Sequence, residues 1–359
     1  MARIEFKGIA HSYEAKPSGE ADWAIKTMDI VWKDGGAYAL LGPSGCGKTT
    51  LLNVISGLIQ PTRGRVTFDD MDVTNLPTEE KNIAQVFQFP VIYDTMTVFD
   101  NLAFPLRNRG MPMGNIQTRV NEVAEMLDLK SDLNRRASGL TADGKQKISL
   151  GRGLVRSDVA AILFDEPLTV IDPHVKWQLR RKLKEIHQRF GSTFVYVTHD
   201  QNEALTFADQ VAIMNEGRIL QVGTPQELFE NPSHTFVGYF IGSPGMNLLP
   251  CRVEGNTAVV DDARIPLANG DRARASSGEL VLGIRPEFLN LTTSEVEEAV
   301  QVGIESVEDR GHIKVASVRL GRQNIKVTLD EGQEISRETG YLQFPKQWTK
   351  LYADGHLLE

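Results

Sequence analysis

Gly42-Pro43-Ser44-Gly45-Cys46-Gly47-Lys48-Thr49 follows the apolar run Tyr38-Ala39-Leu40-Leu41 and leads into Thr50-Leu51-Leu52-Asn53-Val54-Ile55-Ser56-Gly57. The spacing G-x-x-x-x-G-K-[ST] stands in the order that gives it meaning: strand, glycine loop, then a helix that stops at a glycine. Glycines let backbone N–H groups turn inward around phosphate oxygens, and the positive end of the following helix adds a favourable field. The expected cradle comprises Gly42, Ser44, Gly45, Cys46, Gly47, Lys48, Thr49 and Thr50. Lys48 reaches the β- and γ-phosphates as a point charge, and the Thr49 hydroxyl sits on Mg²⁺. The competing reading is an accidental glycine-rich turn, which the strand before and the helix after make unattractive.

A chain of 359 residues is long enough for two or three domains, and its composition is that of an ordinary globular protein. A formal net charge of −8 without a basic patch argues against broad nucleic-acid affinity. No apolar run approaches the roughly 18 residues of a spanning helix, and the start Met-Ala-Arg-Ile-Glu-Phe-Lys has no signal-peptide core. The expectation is a cytosolic protein that meets a membrane only through a partner. Cys46 and Cys251 are expected as free thiols, since a bridge from inside a phosphate loop is implausible.

Outward from the loop, residues 1–35 read as short strands broken by Ala15-Lys16-Pro17-Ser18-Gly19-Glu20. Tyr13 is a candidate to stack on an adenine ring; a structural aromatic is the alternative, and Trp23 competes for the same role. Beyond the first helix, Pro61 to Phe68 reads as a turn and then a strand, and Ile83-Ala84-Gln85-Val86-Phe87-Gln88 as a second strand. Gln88 ends the second one, where it is either a metal or water contact or an ordinary surface side chain. The run from Phe89 to Phe99 is unusually apolar for a connection, fit for core or for an exposed patch that receives another protein. Between about 91 and 155 the pattern turns helical: Ile116, Val120, Val123, Ala124 and Leu127 share one face.

Strand and helix then alternate again. Val159 to Phe164 is a continuous apolar run, as a buried parallel strand would be, and it ends in Asp165-Glu166-Pro167. Carboxylates at the carboxyl end of such a strand lie where ligands bind in α/β sheets. Asp165 is the natural Mg²⁺ partner opposite Thr49, and Glu166 can polarise water as a general base. Two surface acids would be the plainer reading if there were no phosphate loop. An amphipathic helix over 174–190 precedes the strand Thr193 to Val197 and then Thr198-His199-Asp200. His199, at the end of a strand parallel to that of Asp165, can reach a γ-phosphate; a lone structural histidine is the alternative. Past Ser243-Pro244-Gly245 alternating segments such as Glu279 to Ile284 and Ile313 to Arg319 read as a small all-β domain.

With these motifs in place, the chain resembles the ATP-binding subunit of an ABC importer of the carbohydrate-uptake kind. Gly42 to Thr49 matches the Walker A motif, Gln88 the Q-loop, and Ile162 to Glu166 the Walker B motif with its glutamate. Asp172 matches the D-loop and His199 the switch histidine. Asn231-Pro232 through Gly242-Ser243-Pro244-Gly245-Met246-Asn247 is similar to the joint before the β domain of maltose-type and glycerol-phosphate-type importers, and Gly283-Ile284-Arg285-Pro286-Glu287 resembles a motif within that domain. The resemblance implies an α/β P-loop NTPase with a RecA-like core and a helical insertion over 1–243. A C-terminal all-β OB-like domain over 244–359 would follow. It implies hydrolysis of ATP with Mg²⁺, permease subunits docked on the helical region, a second ATPase subunit, an indirect partner in a solute-binding protein, and a peripheral place on the cytoplasmic face of the inner membrane.

One motif departs from the family pattern. The signature L-S-G-G-Q is here Leu140-Thr141-Ala142-Asp143-Gly144, with register set by Lys145-Gln146-Lys147-Ile148. In the family this loop caps the γ-phosphate of ATP held by the opposite subunit. Thr141 keeps a hydroxyl, but Ala142 and Asp143 replace two glycines, and Asp143 brings a carboxylate toward an anionic group unless it points away. Two readings stand: an asymmetric pair with an unlike ATPase whose signature is intact, or a pair of like subunits that tolerates the change. The altered loop and Phe89-Pro90-Val91-Ile92-Tyr93 are also similar to importer ATPases linked to glycerol uptake. A regulatory nucleotide-binding subunit with little hydrolysis is the alternative function. A ribosome- or DNA-acting relative would need a tandem cassette or a basic surface, and a GTPase would need an Asn-Lys pair; the sequence has none of these.

Overall fold

The computed structural model describes residues 2–268, 278–333, 335 and 338–358. They divide into two compact units, Met1–Pro225 and Gln226–Glu359. The first holds strands β1 Ile4–His11, β2 Ile25–Trp32, β3 Ala37–Leu41, β4 Arg63–Phe68, β5 Met71–Asp72, β6 Ile83–Val86, β7 Ala161–Asp165, β8 Phe194–Thr198, β9 Gln210–Asn215 and β10 Arg218–Gly223. Its helices are α1 Lys48–Ser56, α2 Val98–Arg107, α3 Met113–Met126, α4 Ala142–Leu154, α5 Pro173–Phe190 and α6 Gln201–Phe207.

An antiparallel sheet runs in the order β2-β1-β4-β5, and a second sheet runs β10-β9-β3-β8-β7-β6. Strands β6, β7, β8, β3 and β9 are parallel, and β10 returns antiparallel as a hairpin on β9. Every residue of β3, β7 and β8 is buried, as continuous apolar runs in a parallel sheet require. Helix α1 is buried nearly all round. Its Leu51, Leu52, Val54 and Ile55 join Ile4, Phe6 and Trp32 of one sheet to Leu40, Leu163 and Val195 of the other in one cluster. Truncating a fully buried leucine such as Leu51 to alanine should therefore cost about 2–5 kcal/mol.

Local chemistry sets the helix ends. Gly47 enters α1 with φ 106° and Gly57 leaves it with φ 81°, conformations that a side chain disfavours. Helix α2 starts on Thr97, whose side chain accepts from the Asp100 N–H, and α5 starts on Asp172 with Pro173 in its first turn. Helices α2, α3 and α4 form the helical region expected over about 91–155.

In the second unit, helices α7 Pro225–Glu230 and α8 Thr235–Phe240 precede, among the described residues, twelve antiparallel strands: β11 Asn247–Pro250, β12 Arg252–Glu254, β13 Thr257–Val260, β14 Ala263–Pro266, β15 Leu280–Ile284, β16 Asn290–Thr292, β17 Ala299–Asp309, β18 Lys314–Leu320, β19 Gln323–Leu329, β20 Thr339–Gln343, β21 Lys350–Ala353 and β22 His356–Leu357. These strands make sheets of order β11-β15-β21-β22, β12-β13-β14 and β16-β20-β17-β18-β19 around a core of aliphatic side chains. The division at 225/226 lies ahead of the boundary expected at 243/244. Arg285 joins α7 and α8 to the β unit. This buried guanidinium donates to the carbonyls of Leu228, Phe229, Gly238 and Ile241, in and at the ends of α7 and α8. Both helices are thereby tied to the β unit.

Candidate active site

Strand register carries the chemistry to one edge of the parallel sheet. Leu41 of β3 lies beside Thr198 of β8, and Asp165 of β7 lies beside Val197, so the phosphate loop, Asp165-Glu166 and His199 all leave the sheet at its carboxyl end. On the outer strand, Val86 pairs with Phe164, which brings Gln88 to the same edge. Gln88 is half-buried in a bend beyond β6 rather than in the strand itself, a correction of the expected strand end.

Within the loop, Lys48 Nζ donates to the carbonyls of Gly42 and Pro43, each at 2.9 Å, so the ammonium is held inside the cradle. The glycines have a packing reason in addition to phosphate access. A Cβ at Gly42 would lie 2.1 Å from the Met214 carbonyl oxygen, and one at Gly47 would lie 2.4 Å from that of Ala24. The turn between β9 and β10 fastens the loop from outside, with the Gly217 N–H donating to the Cys46 carbonyl at 3.0 Å. Cys46 itself is buried, and burial pushes its thiol up from the usual range. Cys46 and Cys251 are both free.

Thr49 Oγ1 donates to Asp165 Oδ1 at 3.1 Å across 116 residues of chain. Burial holds the Asp165 carboxyl above the usual carboxylate range, against the opposing effect of the Thr49 bond. A buried hard oxygen donor in that condition fits a cation, and a hydroxyl with one carboxylate suits Mg²⁺ shared with phosphate oxygens. Among the described residues no group of three or more His, Cys, Asp or Glu forms a cage of its own. Glu166 adopts φ 45°, unusual for a side-chain-bearing residue. Its N–H donates to the Val197 carbonyl at 2.9 Å, and its own carbonyl accepts from Thr169 Oγ1 at 3.0 Å, which together hold that conformation. His199 Nδ1 lies 3.1 Å from Glu166 Oε2, with the imidazole half open to solvent.

Tyr13 is 66% exposed, and its hydroxyl is 3.1 Å from Thr50 Oγ1 in the first turn of α1. A free aromatic face beside the phosphate loop suits a nucleobase. Trp23, its competitor, is half-buried with the Arg63 guanidinium 4.8 Å over its ring. Thr141 caps α4, accepting from the Gly144 N–H at 3.3 Å, and Asp143 sits in the first helical turn. Neither Ala142 nor Asp143 has a positive φ, so glycine's freedom is not used there. Asp143 Oδ1 accepts from the Asp172 N–H of the same chain at 3.4 Å. The helix N-terminus stabilises the carboxylate in that place.

The apolar connection after Gln88 is exposed yet anchored. Phe89, Val91 and Tyr93 face solvent, while Asn101 exchanges two hydrogen bonds with the Tyr93 backbone and Arg152 donates to the Val91 carbonyl at 2.8 Å. Beside them lies a hollow of about 250 Å³ lined by Phe87, Val91, Pro105 and Arg152 among others. Sequence reasoning missed two buried supports. Gln146 Nε2 donates to the Pro167 carbonyl at 2.7 Å, joining α4 to the segment after Glu166, and Glu203 stands behind His199. A polar residue on an otherwise apolar helix face was the available signal.

Comparison with known proteins agrees with this geometry. Residues 25–169 match the ABC transporter family, and residues 242–289 match the MalK OB fold domain. The chain is 37% identical over 355 residues to the sn-glycerol-3-phosphate import ATP-binding protein UgpC of Escherichia coli O157:H7, covering 98% of each. It is 39% identical over 311 residues to the protein of the same name from Psychromonas ingrahamii, covering 87% of this chain and 80% of that protein. In fold it resembles cbiO1 from Clostridium perfringens, with TM-score 0.58, 24% identity, and coverage of 64% of this chain and 90% of that one. It likewise resembles MJ1267, an ATP-binding cassette of an ABC transporter, with TM-score 0.54, 25% identity, and coverage of 65% and 96%. Similarity that runs along nearly the whole of both chains, together with a phosphate loop facing Asp165 and Glu166, is decisive: this chain belongs to the ABC transporter family, as an ATP-binding and ATP-hydrolysing subunit of an importer of the carbohydrate-uptake kind.

Proposed function

We propose that ATP closes this subunit against a second ATPase subunit, and that closure drives solute through permease subunits. Closure follows because ATP binds the closed pair better than the open one. The observation that carries the reading is the meeting, at one sheet edge, of Thr49 with Asp165 at 3.1 Å and of Glu166 with His199 at 3.1 Å. Lys48 and the amides of Gly42 and of Ser44 to Thr50 hold the phosphates, and Tyr13 stacks on the adenine. Thr49 and Asp165, with Gln88 from the bend beyond β6, would hold Mg²⁺, which when bound neutralises charge on the β- and γ-phosphate oxygens. Glu166 orients and deprotonates the attacking water, and His199 steadies the charge that develops on the γ-phosphate.

Glu166→Gln in the assembled transporter should lower hydrolysis by about a thousandfold while ATP still binds. Near-wild-type turnover would remove Glu166 from its role. The direction of Asp143 supports a pair of like subunits, since the carboxylate is engaged within its own chain and Thr141 stays exposed for the partner's nucleotide. The mass of the Glu166→Gln protein with ATP and Mg²⁺ should then be that of a dimer; a monomer that binds ATP would point to an unlike, asymmetric pair.

The exposed Phe89 to Tyr93 segment receives the permease, which places the subunit peripherally on the cytoplasmic face of the membrane. No described helix is long and apolar enough to cross a membrane. The working border between cassette and β domain lies near 243/244, in keeping with an OB match that begins at residue 242. For the solute we take sn-glycerol-3-phosphate, named in the relatives, or a related polyol. Uptake of labelled glycerol-3-phosphate against labelled maltose by the reconstituted importer tests that choice.

A further inference from the structure

Behind the edge that carries His199, β8 and α6 enclose a carboxylate that has no part in phosphate chemistry. Glu203 is 4% exposed. Its Oε2 accepts hydrogen bonds from the Tyr196 hydroxyl at 3.1 Å and from Thr198 Oγ1 at 2.9 Å. Thr198 Oγ1 in turn accepts from the Asp200 N–H at 3.0 Å. The two residues tied in this way, Thr198 and Asp200, flank His199 on either side. Glu203 Oε1 faces Lys176 Nζ at 3.7 Å, and Lys176 stands in the first turn of α5, whose cap is Asp172. A buried carboxylate is costly unless paired and hydrogen-bonded, and apolar packing would serve a purely structural joint here at lower cost.

We infer that Glu203 is a positioning residue for His199: it fixes the main chain on both sides of the imidazole and keeps the ring within reach of Glu166. Through Lys176 the same carboxylate connects the switch histidine to the helix that begins at the D-loop, so the two loops at the partner-facing edge share one buried anchor. Small displacements at such a site are expensive, because the reacting groups must stay aligned to fractions of an ångström. The inference rests on the reading of His199 as the group that meets the γ-phosphate.

The test uses the assembled transporter and measures kcat and KM for ATP. Thr198→Val keeps the branched shape of a strand residue and removes the link, so kcat should fall about tenfold with KM within about twofold. Glu203→Leu should do the same. Glu203→Gln, whose amide oxygen can accept from both hydroxyls, should keep the rate within about threefold. In a His199→Ala background neither Thr198→Val nor Glu203→Leu should lower kcat further, since groups that act as a unit are not additive. An unchanged kcat in Thr198→Val overturns the inference, and this variant decides the matter should Glu203→Leu fail to fold. A further tenfold loss in the His199→Ala background also overturns it, as does a loss in Glu203→Gln equal to that in Glu203→Leu. Wild-type hydrolysis by His199→Ala alone would instead strike the reading of His199, a failure seen without any change at Glu203.

Discussion

Each unit of this chain buries a cation whose hydrogen bonds go to main-chain carbonyls, and the two put it to opposite uses. Lys48 is 5% exposed and Arg285 is 2% exposed. Lys48 bonds to the carbonyls of Gly42 and Pro43 and reaches the Cys46 sulfur at 4.0 Å, all within its own loop, at a sheet edge that also carries Asp165 and Glu166. Its partners are local and can be exchanged for phosphate oxygens. Arg285 reaches across 44 to 57 residues to helix ends and lies 4.0 Å over the Phe229 ring. Burial pulls its pKa down to about 10, yet it stays charged at neutral pH. Equal burial thus says little about role; what decides it is whether the donors are committed to the fold.

Three experiments would break or sharpen that contrast. The largest effect is expected in the first unit: Lys48→Ala should lower hydrolysis by about a thousandfold, near 4 kcal/mol of transition-state stabilisation, with little change in thermal stability. A large loss of stability would make Lys48 a structural residue like Arg285. In the second unit, Arg285→Met should cost about 3 kcal/mol, because the carbonyls of Leu228, Phe229 and Ile241 lose the guanidinium's hydrogen bonds. Calorimetry reads this, and unchanged unfolding would show that water replaces the guanidinium without loss.

The smallest effect concerns Asp165, the acidic counterpart at the nucleotide edge. Burial raises its pKa, so the folded chain holds that proton more tightly than the unfolded chain does. Its contribution therefore turns unfavourable as pH rises through and above the ordinary carboxylate range. Asp165→Asn in nucleotide-free protein should raise the melting temperature at pH 7 and leave it unchanged near pH 3. A lower melting temperature at pH 7 would mean that the charge, through Thr49, stabilises the fold.

Much of the first unit was legible in the residues themselves. The phosphate loop, the run into Asp165-Glu166 and the position of His199 follow from strand and turn chemistry spread over a few neighbours each. Arg285 appeared only as part of a family motif, with no physical reason attached, because its partners lie on α7 and α8. Trp23 could not be set below Tyr13 before Arg63 was seen to cover its ring. Cys46 stood in the sequence only as a free thiol within the phosphate loop, whereas its burial is a tertiary fact.

By itself the sequence determined what the backbone does over short stretches: a glycine loop that closes on Lys48, a helix that stops at Gly57, and strands buried on both faces. These features depend on residues within a turn or two, where covalent geometry limits the choices. Tertiary structure alone decided that Gly42 and Gly47 must stay small beneath Met214 and Ala24, and that Asp143 turns to Asp172. It likewise decided that Glu203 stands behind His199 and that Arg285 closes two helices. Each of those depends on which strands become neighbours and in what register, a property of the whole sheet that no local run of residues encodes.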